Sequence, residues 1–153
     1  MAHEWLSSIT NISGILANLS NLIKSNRATK DLVLRELKLN IKAFETAQKT
    51  IAIDYDALLS LLQNEQIKKA RENRFVFTTI KKGSIKKSHI KDGRNKRYIG
   101  KNCDWLFKNI DEKIEDLRQQ RIYHKSLNTI EKSNIALQFS NLFYKLKLLA
   151  EFI

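Results

Sequence analysis

The chain of 153 residues contains no proline, one cysteine and four glycines. A proline in a helix interior costs ~3 kcal/mol, so its complete absence suits long uninterrupted helices. The lone Cys103 excludes an internal disulfide framework and a cysteine-rich zinc module. So little glycine and proline excludes collagen-like and linker-dominated chains. No basic-then-apolar leader with a small-residue cleavage site opens the sequence, which points to a cytoplasmic protein. What is present, 42% apolar and 8% aromatic residues, argues against full disorder and supports a modest core in one domain spanning 1–153.

Acidic residues are scarce in one place. The formal net charge is +12, from 28 basic and 16 acidic side chains. Residues 67–102 hold 13 of the basic groups, opposed only by Glu72 and Asp92, a net +11. The remaining 117 residues carry 15 basic and 14 acidic groups, a net +1. The sequence therefore reads as a nearly neutral framework with one basic segment, which also holds Gly83, Gly93 and Gly100.

The framework has helical spacing. Trp5, Ile9, Ile12, Leu16, Leu19 and Ile23 fall on one helix face, as do Ile135, Phe139, Leu142, Leu146, Leu149 and Ile153 near the other end. Leu34, Leu37, Ile41 and Phe44 predict a second helix from about Thr29 to Thr50. A third is expected from Asp54, a capping residue, through Leu58, Leu59, Leu62 and Ile67 to about Arg74. The fourth begins near Asp104 and uses Leu106, Ile110, Ile114 and Leu117. Its acids precede Arg118 and Arg121, the order the helix dipole favours. Asn128 and Glu131 have the spacing of a capping box for the fifth. The expectation is an all-α protein, an antiparallel four- to five-helix bundle.

The rhythm fails inside the basic segment. Arg74–Ile80 is β-prone and Asp92-Gly93 is a hairpin turn signal, so residues 75–102 are expected to form a basic loop or β-hairpin insert between helices three and four. Lysine and arginine release counterions from a phosphate backbone without reading sequence, so the favoured partner is a nucleic acid, RNA or DNA, in a non-enzymatic binding or adaptor role. The expected contact residues are Lys81, Lys82, Lys86, Lys87, Arg94, Lys96, Arg97 and Tyr98, with Phe75, Phe77 and Tyr98 able to stack on unpaired bases. An acidic protein partner and an inert solvated loop are the alternatives.

Signals for chemistry are sparse. His3, His89 and His124 have no metal-ligand spacing, and no metal or cofactor is expected. Cys103 has no cysteine partner, and a buried structural role is expected for it. Gly93–Asn102 has six residues between its glycines and ends in Asn102 where a phosphate loop needs Ser or Thr, so that motif is rejected.

The run Arg118-Gln119-Gln120-Arg121-Ile122-Tyr123-His124 has an arginine, a polar residue and a histidine within seven positions. This spacing resembles the motif of the HEPN family, helical-bundle ribonucleases of toxin and defence systems. The polar position holds Gln119, where that family often has Asn or Asp. The resemblance implies metal-independent RNA cleavage in which Arg118 stabilises phosphate charge and His124 acts as acid–base, with two copies paired in a homodimer. The alternative is that Arg118 and Arg121 satisfy a helix C-terminus and His124 lies in the turn that follows.

A third class is membrane action. Residues 5–23 carry no charge, but eight of those 19 positions are polar, so a packed amphipathic helix is expected over a spanning one. A bundle releasing such a helix at anionic lipid resembles HeLo-type cell-death domains in architecture.

Overall fold

A computed structural model describes residues 4–25 and 27–153. The described residues form seven α-helices: α1 (Glu4–Ser7), α2 (Ile12–Leu22), α3 (Thr29–Gln48), α4 (Tyr55–Leu61), α5 (Glu65–Glu72), α6 (Cys103–His124) and α7 (Lys132–Phe152). Short 3-10 turns at Phe77–Thr79, Lys87–His89 and Gly93–Tyr98 lie between α5 and α6, and another at Leu127–Thr129 precedes α7. The described residues contain no β-strand, so the fold is all-α. α3 packs against α2, α5 and α7, while α6 packs against α4, α5 and α7. Phe44 of α3 meets Phe143 of α7 at 5.1 Å between ring centroids, and Tyr55 of α4 meets Phe139 at 5.0 Å. One continuous apolar cluster runs through all of these elements.

Two expected helices are each interrupted. The stripe from Trp5 to Ile23 breaks after Ser7, where Asn11 adopts a left-handed backbone (φ 65°). The side-chain amide of Gln48 on α3 donates to the carbonyls of Leu6 (2.9 Å) and Ile9 (2.7 Å), satisfying acceptors that the break frees. The helix expected from Asp54 to Arg74 divides at Leu62–Asn64 into α4 and α5. There Asn40 of α3 accepts from the Gln63 N–H and donates to the Gln63 carbonyl, both at 2.7 Å. The buried Glu36 carboxylate then accepts from the N–H groups of Gln66 (2.8 Å) and Ile67 (3.0 Å), capping α5. In both cases a polar side chain of α3 holds the break open. Apolar spacing carries no record of that.

Asp54 caps α4 as expected, accepting from the Ala57 N–H at 3.1 Å. The capping box assigned to Asn128 and Glu131 does not form. Asn128 turns to α4, accepting from the Tyr55 N–H (3.1 Å) and donating to Asp54 (3.0 Å), and α7 starts only at Lys132. α6 begins where expected, with Asn102 accepting from the Trp105 N–H at 3.0 Å.

The β-hairpin expected within 75–102 is replaced by 3-10 turns, and its strand-like residues pack onto the helices. Phe77 donates its N–H to Asp104 (2.8 Å) and stacks on Phe107 of α6 at 4.8 Å. Ile80, Ile85 and Tyr98 are buried in the same core, so the segment is no solvated loop. Its two arms touch at one bridge, Ser84 with Asn102, where Ile85 donates to the Lys101 carbonyl and Gly100 to the Ile85 carbonyl, both at 2.8 Å. Gly83 (φ 82°) and Gly100 (φ 91°) flank the bridge in conformations that disfavour any side chain. Asp92-Gly93 makes no reversal; Asp92 accepts from the Arg94 N–H (3.0 Å) and starts a 3-10 turn.

Candidate anion-binding interface

The insert lies across α7 and the start of α6 with Phe77, Ile80, Ile85 and Tyr98 inward, and its cations fall into two groups. Lys82, Lys86, Lys87 and Lys96 are exposed and form no ion pair among the described residues. The others are docked. Lys81 lies 6.0 Å from the centre of the Phe152 ring. Arg94 covers Tyr144 at 4.4 Å and donates to the Ser140 hydroxyl at 2.5 Å. Lys91 pairs with Glu151 at 3.1 Å, and Lys101 covers Trp105 at 4.8 Å. His89 is tied within its turn, its Nδ1 accepting from the Lys86 N–H at 2.8 Å.

The aromatics expected to stack on bases are used internally. Phe77 is 3% exposed, Phe75 packs edge-on against it at 5.1 Å, and Tyr98 is 6% exposed with its ring 5.7 Å from Trp105. The core takes up the faces of Phe77 and Tyr98, and Phe75 is half-buried against it. Cys103 is buried, and burial, reinforced by Asp104, pushes its thiol up to about 11, which removes it as a nucleophile near neutral pH.

The sequence reading missed a recess of about 300 Å³ formed where the insert crosses α6 and α7. Arg97 and Tyr98 come from the insert, Trp105, Asn109 and Lys113 from α6, and Asn141, Leu142 and Lys145 from α7. Three of these are cations, and none of the lining residues is acidic. Lys145 is 6% exposed and donates to the Asn109 side-chain carbonyl, a neutral acceptor. Burial, with Arg97 and Lys113 adding like-charge repulsion, pushes its ammonium down to about 8. Lys113 donates to Gln138 (2.8 Å) and pairs with the exposed Asp116 (3.2 Å). A signal existed: Trp105, Asn109 and Lys113 are spaced i, i+4, i+8 on one face of α6.

Arg118 and His124 are placed in different surroundings. Arg118 donates to Asn64 (2.5 Å), to Glu115 (3.0 Å) and to the Leu62 carbonyl at the end of α4 (3.2 Å). It belongs to a polar network in which Asn64 also donates to Asp111 (2.7 Å) and Glu115 (2.9 Å), while Arg71 pairs with Asp111 (2.5 Å) and Lys68 with Glu115 (2.6 Å). Hydrogen bonds from Asn64 and Lys68 pull the Glu115 carboxyl down to about 2. Arg121 likewise donates to α4, at the Asp56 carbonyl (3.2 Å). Arg118 therefore satisfies the C-terminal end of α4 and not that of α6, while Arg121 reaches the first turn of α4. His124 is exposed in the last turn of α6 with its ring edge-on to Tyr123, and shares no partner with Arg118. His3 lies outside the described residues. Among the described residues no group of His, Cys, Asp and Glu gathers to hold a metal ion, and no helix is long and apolar enough to cross a membrane.

No protein-family model, no curated protein and no solved structure matches the chain.

Proposed function

We propose that the protein is a helical bundle that binds nucleic acid non-enzymatically through the basic insert, as a binding or adaptor module. The observation that carries this reading is the pairing state of the insert's cations. Lys82, Lys86, Lys87 and Lys96 stand exposed without carboxylates, on a backbone fixed by the burial of Phe77, Ile80, Ile85 and Tyr98. Exposed lysines without carboxylate partners can neutralise phosphates and release the counterions condensed on them, and little ordering of the insert opposes binding. Because the aromatic rings are occupied, contact is to phosphate and not to bases, so affinity is insensitive to sequence. A ribonuclease built on Arg118 and His124 requires Arg118 to exchange Asn64 and the Leu62 carbonyl for a phosphate, which is why binding without cleavage is the reading adopted.

The test is a gel shift with single-stranded RNA and duplex DNA at low salt. The wild type should retard at least one of them, and Lys82, Lys86, Lys87 and Lys96 all replaced by Ala should abolish most of the retardation. Absence of retardation by the wild type, or unchanged retardation by the variant, would overturn the proposal. Binding of an acidic polypeptide with equal affinity would move the assignment to a protein partner.

A further inference from the structure

The recess between the insert, α6 and α7 is a different feature from the exposed lysines. Those stand in water. The recess collects Arg97, Lys113 and Lys145 from three separate elements around one concavity, with the side-chain amides of Asn109 and Asn141 and the indole of Trp105 on its walls. A lysine that is 6% exposed normally has a carboxylate partner, because burial of an uncompensated ammonium is costly. Lys145 donates to the neutral Asn109 carbonyl and lies 5.7 Å from the centre of the Tyr98 ring, while Arg97 and Lys113 repel it. Asp116 pairs with Lys113 at 3.2 Å. The recess thus gathers three cations with no acidic side chain among its lining residues.

We infer that this recess binds one phosphate group of a nucleotide, with Lys145 at its floor and Arg97 and Lys113 at its sides. A phosphate matches the donor set. Arg97 offers a planar fork suited to two phosphate oxygens, and the two lysines serve as point charges. The volume, about 300 Å³, falls at the lower end of small-ligand pockets, roughly 300–1,000 Å³, and leaves room for part of the attached nucleoside beside Trp105. With its pKa pushed to about 8, Lys145 remains largely protonated at pH 7, and an incoming dianion would hold the proton more firmly. Two sources carry such a phosphate, a free mononucleotide and the 5′ end of a strand. The first source stands apart from the nucleic-acid reading, while the second rests on it.

Trp105 supplies the reporter. Trp5, the other tryptophan, lies in the aromatic core with Phe44 and Phe143, so Trp5→Phe leaves one indole in the recess. In that background adenosine 5′-monophosphate should change the Trp105 emission saturably, adenosine should do so at least tenfold more weakly, and inorganic phosphate should compete. Lys145→Met should weaken the monophosphate at least tenfold, and Arg97→Ala, a surface change that leaves the floor intact, should weaken it several-fold. Lys86→Ala with Lys87→Ala should leave it unchanged. Equal binding of nucleoside and monophosphate, or indifference to both Lys145→Met and Arg97→Ala, would overturn the inference. A single-stranded oligonucleotide tested with and without its 5′ phosphate separates the sources. Tighter binding of the phosphorylated strand, lost in Lys145→Met, assigns the strand end; equal binding of both strands, with the mononucleotide response intact, assigns the free nucleotide. A mononucleotide response with no strand retardation would sink the nucleic-acid reading and spare this one.

Discussion

Replacing Lys145 by Met should make the protein more stable while removing its proposed phosphate site. The two side chains have similar length, and the lysine stem is already packed as an apolar group. A fall of the ammonium from 10.5 to about 8 corresponds to roughly 3 kcal/mol of cost to the charged form, at about 1.4 kcal/mol per pKa unit. Loss of the hydrogen bond to Asn109 offsets about 1 kcal/mol, since that amide faces the recess and can take water in its place. The net expectation is a gain of ~1–2 kcal/mol at pH 7, or roughly 2–8 °C in Tm for a chain of this size. The assay is thermal unfolding by circular dichroism in a buffer free of phosphate. A pH series fixes the cause. Between about pH 8 and 10.5 the unfolded chain holds the Lys145 proton and the folded one has released it, so wild-type stability rises with pH through that window. The advantage of Lys145→Met should therefore be full below pH 8 and shrink toward pH 10.5. A variant less stable than wild type at pH 7, or an advantage constant with pH, would refute the reasoning.

Three further outcomes follow from other parts of the molecule. Asn40→Ala removes both bonds to Gln63 and strands that residue's N–H and carbonyl at the α4–α5 break, which should cost about 2–3 kcal/mol in urea unfolding. Arg118→Ala should cost about 1.5–3 kcal/mol because Asn64, 2% exposed, loses a charged partner, whereas His124→Ala should change stability by no more than about 0.5 kcal/mol. RNA cleavage by the wild type that is lost in a fully folded His124→Ala would restore the ribonuclease reading over binding alone. The Glu115 carboxyl, held near 2 against an ordinary 4.5, contributes stability that is complete above pH 4.5 and is lost as pH falls toward 2. Glu115→Gln should flatten that acid limb by a modest amount, since the group is over a third exposed and solvent screens its pairs.

Helices and core were legible because apolar periodicity follows burial directly. Leu34, Leu37, Ile41 and Phe44 are all at most 1% exposed, Asp54 caps α4, and α6 begins at Cys103, beside the Asp104 expected. The breaks were hidden because their causes are polar and distant. Gln48 acts 39 and 42 residues away, Asn40 acts 23 residues away, and neither disturbs the spacing of its own helix. Asn128 shows the same effect in reverse, since its local match to a capping box lost to partners more than 70 residues upstream. In the insert, Phe77 and Tyr98 were read as surface aromatics. Their neighbours in sequence are basic, and burial there depends on α6 and α7 lying beneath them. The recess was least legible of all, because Arg97, Lys113 and Lys145 are separated by 16 and 32 positions and meet only through the fold.

The exposed lysines of the insert are the centre of the account, and the salt dependence of binding tests them most directly. If about five phosphates are neutralised, log K for a single strand or duplex should fall against log salt with a slope of roughly −3.5 to −4.5. Replacing Lys82, Lys86, Lys87 and Lys96 together by Ala should reduce that slope by about 3 to 4, leaving little salt dependence. A wild-type slope near zero, or one that the four substitutions leave unchanged, would contradict the assignment of these lysines as the polyanion contact.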